Sequence, residues 1–309
     1  MNVQRMSIRG TMVSYMNNRT NDRRSVLMIV TSMLIFGTIG IFRRHIPLPS
    51  AFLAFSRGIL GGLFLVLFLK LKRRKPAGKL PVQTVLWLAV SGAVMGVNWI
   101  LLFEAYNYTT VAVATLCYYM QPTIVVLLSP VIFQERLTLR KGACAAVAVV
   151  GMVLVSGVTG GVGPQAGDPR GILFGLGAAV CYAAVVIMNK KITGVEAFQK
   201  TKIQLLSAGI VMIPYLLLTG GFGVGDVSAL TVILLFTVGI LHTGIAYVLY
   251  FGSFDGLKAQ SAAILSYIDP VAALLFSALF LREPLSLPGI AGAVMIIGSA
   301  VVSEIRGPD

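Results

Sequence analysis

The sequence predicts an all-α polytopic membrane protein whose ten transmembrane helices form two inverted five-helix repeats. Three observations lead to this fold class: the composition, the number of apolar segments, and a repeat of the chain within itself. Of the 309 residues, 57% are hydrophobic and 12% are charged, whereas a soluble domain carries roughly 25% charged residues. The mean hydropathy is +0.87. A chain of this composition is expected to lie in a lipid bilayer.

Ten segments are predicted to span the membrane, since a spanning helix needs about 20 predominantly apolar residues. These segments are residues 26–42, 51–69, 83–103, 112–133, 141–158, 171–189, 198–219, 229–251, 259–281 and 288–303. The first 25 residues are polar and contain arginines, and no small-residue cleavage site follows the first apolar segment. They are therefore expected to form a tail rather than a cleaved signal peptide.

The basic residues are distributed unevenly between the two sides of the membrane. If the N-terminus is cytoplasmic, 20 of the 25 lysines and arginines fall on the cytoplasmic side and 4 on the other, with Arg57 inside a span. Such a bias is the positive-inside signal. It predicts cytoplasmic termini and a multi-pass protein of the plasma (inner) membrane. It also explains the net charge of +14 without a nucleic-acid partner.

The second half of the chain repeats the first. The segment ATLCYYMQPTIVVLLSPVIFQERLTL (114–139) aligns without a gap with AAILSYIDPVAALLFSALFLREPLSL (262–287) at an offset of 148 residues. Tyr119 then meets Tyr267, and Pro122 meets Pro270. Further matches at an offset of 147 or 148 are Arg57 with Gln204, Gly96 with Gly244, Trp99 with Tyr247, and Phe103 with Phe251.

Each repeat contains five spans, and this odd number inverts the second repeat relative to the first. The expected organisation is a cytoplasmic tail (1–25), a first repeat (26–158), an external linker (159–170), a second repeat (171–304) and a cytoplasmic C-terminal tail (305–309). Inverted repeats are typical of secondary transporters, which bind their solute near the bilayer midplane between the two halves.

The motifs within these repeats resemble those of a known superfamily. The segment FEAYNYTTVAVATL (103–116), the two proline-centred spans, the closing QERLT and REPLS, and the glycine-rich last span are similar to the EamA type of the drug/metabolite transporter superfamily. The resemblance covers roughly residues 26–304. It implies ten helices in two repeats and a carrier that moves small organic solutes, often outward.

The most unusual residue of the predicted spans is Asp269, which precedes Pro270 in the middle of an apolar run. Its repeat-mate is Gln121, which precedes Pro122. An ionisable group at this depth costs at least ~2.5–3.5 kcal/mol and commonly faces a cavity or a transport pathway. Two interpretations stay open. Asp269 either lines the central site and carries a proton during transport, or it is a protonated residue that caps backbone groups freed by the proline.

The other candidate substrate-binding residues are mostly aromatic and lie on the spans that line the cavity in the resembling superfamily. They are Phe36, Asn98, Trp99, Phe103, Tyr118, Tyr119, Gln121, Tyr182, His242, Tyr247 and Tyr267, and Tyr250 belongs to the same aromatic group. Aromatic faces beside a carboxylate suit a cation, and they suit an aromatic amino acid equally well. His242 is read either as a titrating residue or as an interhelical hydrogen-bonding residue.

Arg57 and Glu104 are the other charged candidates. Arg57 lies about 9 Å inside the outer edge of the second span, and Glu104 lies near the outer end of the third. One prediction is that they form an ion pair that takes part in coupling together with Asp269. The alternative is that each side chain extends separately to the interface.

These features favour a secondary-active transporter, acting as an exporter of amino acids, amines or related metabolites by alternating access. The alternative is a transporter of drugs or quaternary ammonium cations, or an importer of such solutes. A channel is disfavoured because the repeats are inverted and contain broken helices. A membrane enzyme is disfavoured because the sequence has no nucleophile–base pair, metal cluster or cofactor motif. The expected partners are a small solute, the lipid bilayer, and protons or a counter-substrate.

Overall fold

The computed structural model describes residues 22–71, 80–156, 168–225, 227–282 and 285–304. Within these ranges, each of the ten predicted spans is helical. We number the helices α1 (Asp22–Arg44), α2 (Ser50–Leu71), α3 (Val82–Tyr108), α4 (111–133), α5 (Leu139–Val155), α6 (Pro169–Lys191), α7 (Ala197–Leu218), α8 (Ala229–Ser253), α9 (Ala259–Leu281) and α10 (Leu287–Glu304). Most of the tail at 1–25, most of the linker at 159–170 and the tail at 305–309 lie outside the described residues.

The outer surface of the bundle is apolar, as expected for a protein surrounded by lipid. Among the described residues, eight helices are long and apolar enough to cross a membrane. The other two, α5 and α10, have 17 and 18 residues. They pack directly on each other, with Gly151 of α5 against the backbone of Gly292 of α10. Large apolar side chains such as Leu139 (91% exposed) and Val131 (81%) face outward.

The helices α4 and α9 are both interrupted at the positions that the prolines predict. The first half of α4 ends at Tyr118 and the second begins at Gln121, while α9 breaks at Tyr267. A proline removes one backbone hydrogen bond and its ring crowds the preceding turn, so an uninterrupted helix is disfavoured at both sites. The second half of α4 packs on the first half of α9. The predicted broken helices are therefore confirmed.

The ends of these two helices repeat in the same detail. Gln134 follows α4 with a φ of 55°, and Arg282 follows α9 with a φ of 57°. Among the described non-glycine residues, these are the ones with positive φ, and they are repeat-mates at the offset of 148. A left-handed residue at a helix C-terminus lets the chain turn out of the helix. The same turn therefore ends the corresponding helix of both repeats.

Close packing between α3 and α7 depends on two glycines one turn apart in α3. A methyl group on Gly96 would stand 2.7 Å from the carbonyl oxygen of Ala208, and one on Gly92 would overlap the backbone of Gln204. Small residues at this spacing let two membrane helices approach to backbone contact. Hydrogen bonds accompany this contact, including one of 2.7 Å from Gln204 Nε2 to Ser91 Oγ.

The equivalent contact of the second repeat, between α8 and α2, contains one extra residue. The two glycines of α8 are Gly239 and Gly244, which are five residues apart, whereas the two glycines of α3 are four apart. Residues Val238–Ile245 form a π-helical turn, whose wider spacing accommodates one inserted residue. Both glycines therefore stay against α2, where a methyl on Gly61 would stand 2.8 Å from the Gly239 carbonyl oxygen.

Candidate functional site

Aromatic side chains from four helices meet in the middle of the bundle. Tyr118 of α4 lies 5.8 Å from Tyr182 of α6, measured between ring centroids, and Tyr182 stacks on Tyr250 of α8 at 6.4 Å. Phe36 of α1 packs edge-to-face on Tyr247 of α8 at 5.1 Å. We call these five residues the aromatic cluster. The structure thus brings together aromatic candidates that are far apart in the sequence.

Asp269 lies beside this cluster and is half-buried. Its Oδ2 accepts a hydrogen bond of 2.7 Å from the hydroxyl of Tyr119, so the bond joins α9 to α4 across the repeat axis. Asp269 and Tyr118 are also close enough to interact electrostatically. The protonated-cap interpretation requires a hydrogen bond to a backbone carbonyl. In the described part of the chain, the carboxylate has a tyrosine partner instead.

Tyr267 of α9 is the repeat-mate of Tyr119 of α4. Tyr119 bonds to a residue of α9, and Tyr267 bonds to a residue of α4. Its hydroxyl lies 2.7 Å from Thr123 Oγ1 of α4. The ring is 1% exposed and packs with Met152 of α5 and Ile296 of α10. Tyr267 therefore packs in a hydrophobic cluster with α5 and α10, separate from the one that contains Tyr182, Tyr247 and Tyr250.

Two predicted amide residues are buried close to the centre. Asn98 is fully buried, and its Nδ2 donates a hydrogen bond of 2.6 Å to the Ala178 carbonyl of α6. It therefore lies in the contact between α3 and α6. Gln121 is 4% exposed, and its Nε2 is buried without a hydrogen-bond partner in the described residues. Of the two amides, Gln121 is the one with an unused donor.

The predicted ion pair between Arg57 and Glu104 is not formed. The Arg57 guanidinium lies over the ring of Trp99, with Cζ 5.1 Å from the centroid. Glu104 accepts a hydrogen bond of 2.7 Å from the hydroxyl of Tyr215 on α7. Helix α3 continues to Tyr108, and Trp99 and Glu104 are separated by about 140° around it. The Trp99 ring and the Glu104 carboxylate therefore point in different directions from α3, and Arg57 reaches only the ring.

Two further candidates have their described contacts with residues outside the aromatic cluster. His242 is fully buried in the π-turn, and its Nε2 lies 2.8 Å from the hydroxyl of Thr38 on α1, which corresponds to the interhelical interpretation. Phe103 is partly buried one turn beyond Trp99, and its ring packs against Tyr106 at 6.2 Å. Thr38 and Tyr215 could not be identified as partners from the sequence, because each is an ordinary polar residue in an apolar span.

The end of the bundle at which α1 begins is closed by polar contacts. The Glu135 carboxylate, beyond the end of α4, accepts hydrogen bonds from the backbone N–H groups of Ala259 (2.8 Å) and Gln260 (3.3 Å). Lys190 donates to the Phe254 carbonyl at 2.7 Å. A polar cavity of about 270 Å³ lies among these groups, lined by Asp22, Glu135, Lys190, Asp255, Gly256, Leu257 and Lys258.

The two repeats differ in packing at equivalent positions. In the first half of α9, Ala259–Ser266, all eight residues are buried. In the equivalent half of α4, Val111–Tyr118, Ala114 is buried while Val111 is 63% exposed and the other residues with a described environment are half-buried. The first half of α9 is therefore more deeply packed than the equivalent half of α4.

Ten helices in two inverted repeats, with two broken helices crossing at the centre, define the membrane transporter class of fold. The sequence profile described as the EamA-like transporter family matches residues 23–157 and again residues 169–304. The chain belongs to this family.

Individual relatives match this chain over most of their length. The uncharacterized transporter YxxF of Bacillus subtilis is 29% identical over 91% of this chain and 90% of its own. Protein PecM of Dickeya dadantii is 30% identical over 75% of this chain and 80% of its own. A solved crystal structure with 21% identity superposes with a TM-score of 0.77 over 91% of this chain and 96% of its own, which shows the common fold.

Proposed function

We propose that the protein is a secondary-active transporter that exports small organic solutes, such as amino acids, amines or related metabolites, by alternating access. The main support is the unequal packing of the repeat-equivalent halves of α4 and α9. If the repeats exchange these two arrangements, the tightly packed end of the bundle, at the first half of α9, loosens. The opposite end, at the first half of α4, then closes. The aromatic cluster and Asp269 lie between the two ends, where a solute would be exposed to each side in turn.

One observation favours a second candidate, a transporter of drugs or quaternary ammonium cations. Tyr118 packs edge-to-face on Tyr119, whose hydroxyl bonds to the carboxylate of Asp269, so aromatic rings lie close to that carboxylate. Aromatic rings and a carboxylate together can bind a cation that has no hydrogen-bond donors. The same arrangement serves an importer as well as an exporter, since it fixes no direction of transport.

The energy for uphill transport would come from protons or from a counter-substrate. The sequence contains no ATP-binding motif, and Asp269 is a carboxyl group within the membrane beside the proposed site. Such a group can take up a proton on one side and release it on the other. The proposed partners are therefore the solute, the bilayer and a coupling ion or exchanged solute.

Replacing Tyr118 by alanine should weaken solute binding while the protein still inserts and folds. The substitution removes one aromatic face of the cluster, which is worth roughly 1–2 kcal/mol, or about 5- to 30-fold in affinity, toward a desolvated ligand. Thermal-shift titration of the purified protein measures this, because a ligand that binds the folded state raises the melting temperature. Tyr108→Ala is the control, since Tyr108 stacks on Phe174 at the outer end of α3. Equal binding by both variants would place the site elsewhere.

We also propose that both termini are cytoplasmic. In a cysteine-free background, Gly225→Cys in the loop before α8 should react with an impermeant maleimide in intact cells. Thr193→Cys in the loop before α7 should react only after permeabilisation. Both positions are exposed, and a methyl group on Gly225 would meet no atom within 4 Å. The reverse pattern of labelling would invert the proposed topology.

A further inference from the structure

Arg57 is a cation in the central region whose hydrogen-bonding capacity is unused. Its guanidinium contacts the face of Trp99, and its Nε is buried without a partner among the described residues. No ion pair joins Arg57 to a carboxylate of the described residues; Asp269 accepts from Tyr119 and Glu104 accepts from Tyr215. The contact with the indole face stabilises the charge, but it satisfies none of the N–H donors.

Arg57 lies near the proposed solute site. Arg57 is near enough to Tyr118 of α4 and Asp269 of α9 for its charge to act on both. A cation at this depth is costly unless an anion or a polar cavity compensates it. The planar fork of an arginine matches a carboxylate bidentately. Asp269 is near this charge but makes its hydrogen bond to Tyr119, so among the described residues no carboxylate is held bidentately by the fork of Arg57.

The fold itself does not need a cation at this position. The repeat-mate of Arg57 is Gln204, which is fully buried and bonds to Ser91 Oγ at 2.7 Å. The equivalent position of the second repeat is thus occupied by a neutral residue, whose Nε2 is paired and whose Oε1 has no partner among the described residues. A structural role shared by both repeats would not explain why the first repeat has an arginine with free donors.

We propose that Arg57 anchors the carboxylate of the transported solute, so that the site takes an amino acid or another organic acid rather than a simple amine. This inference rests on the proposed transport function and narrows its substrate class. The carboxylate supplies the anion that Arg57 lacks, and the remainder of the solute packs on the aromatic cluster. Quaternary ammonium compounds, which carry no anion, leave Arg57 unpaired and bind weakly.

Trp99 provides a direct reporter of this contact. The chain has two tryptophans, and Trp87 is 54% exposed on the outside of the bundle, so Trp87→Phe leaves the residue beneath Arg57 as the one indole fluorophore. Purified Trp87→Phe protein is titrated with two matched series. The first is L-phenylalanine, 3-phenylpropionate and phenethylamine, and the second is L-leucine, 4-methylpentanoate and isoamylamine. Each series keeps the side chain and removes either the ammonium or the carboxylate group.

We expect the best carboxylate-bearing compound of at least one series to bind ten times more tightly than the amine of that series, or better. Comparing the amino acid with the organic acid then shows whether the ammonium group is also recognised. Arg57→Gln should weaken binding of the carboxylate-bearing compound roughly 10- to 100-fold and leave amine binding unchanged. The affinity of Arg57→Lys for the carboxylate-bearing compound should lie between those of the unmodified protein and Arg57→Gln, because lysine keeps the charge and loses the bidentate fork.

The matched control is Arg43→Gln. Arg43 bonds to the Ile46 carbonyl and to Ser50 Oγ near the outer end of α1, so this variant should keep the preference for carboxylate-bearing compounds over amines. Melting temperatures show whether each variant folds. Amines that bind as tightly as the acids, or a preference for acids that survives Arg57→Gln, would overturn the anchor and leave the transport function standing. Absence of binding in both series, together with absence of solute exchange in proteoliposomes, would overturn the transport function and the anchor together.

Discussion

Replacing Gly92 with alanine is expected to disrupt the contact between α3 and α7 and to leave little folded protein. The added methyl group would overlap the carbonyl oxygen of Gln204 and would stand 2.7 Å from its Cα. These are backbone atoms of a packed helix, so no rotation of a side chain can relieve the overlap. Overpacking of a tight contact typically costs about 1–3 kcal/mol and can cost more. We expect a value at or above the upper end of that range.

A temperature ramp followed by size-exclusion chromatography in detergent measures this effect. Gly142→Ala in α5 and Gly298→Ala in α10 are matched controls, because a methyl group at either position would meet no atom within 4 Å. They should be neutral or slightly stabilising, since alanine is the better helix former. A Gly92→Ala variant that melts like these controls would show that α3 and α7 do not pack as closely as described.

Replacing Asp269 with asparagine is expected to abolish accumulation of solute driven by a pH gradient while exchange of solute continues. Asparagine has nearly the same shape, can still accept the hydrogen bond from the Tyr119 hydroxyl, and reproduces the amide class found at Gln121. It cannot bind and release a proton. The carrier should therefore still alternate with solute bound, but without coupling to protons. We expect accumulation to fall to the equilibrium level in proteoliposomes with an imposed pH gradient.

The control for this variant is Tyr119→Phe, which removes the hydroxyl partner and leaves the carboxylate in place. It should retain part of the pH-driven accumulation, because the titrating group is still present. If Asp269 is instead a structural cap, Asp269→Asn should accumulate solute as well as the unmodified protein does. That outcome would leave Asp269 without a role in coupling.

The architecture could be predicted because its signals are local. Each span is a continuous apolar segment, and Pro122 and Pro270 interrupt their helices through backbone chemistry that does not depend on neighbours. The ends of α4 and α9 could be recognised because the repeat places the same motifs at a fixed offset. The change of offset from 147 to 148 also has a physical counterpart, the π-turn at Val238–Ile245, although the sequence does not show how the extra residue is accommodated.

The contacts of the charged residues could not be predicted in the same way. Depth in the membrane placed Arg57 and Glu104 in the same layer, but an ion pair also requires both side chains to face each other around their helices. That angle depends on how α2, α3 and α7 pack, which is set by glycine contacts and not by the charges. Tyr215 and Trp99 are the partners that the packing brings within reach. The aromatic cluster was predictable as a group, because its members lie mid-span on helices that converge.

If this chain is a carrier whose single site alternates between the two sides of the membrane, it should show solute counterflow. Proteoliposomes containing the purified protein are loaded with unlabelled L-phenylalanine or L-leucine, whichever binds in the titrations, and diluted into a trace of the labelled solute. A carrier exchanges the two solutes, so labelled solute should accumulate transiently above its equilibrium level, both in the unmodified protein and in Asp269→Asn. A channel lets labelled solute rise only to equilibrium. Uptake of label without a transient overshoot would show that the protein is not a carrier with one alternating site.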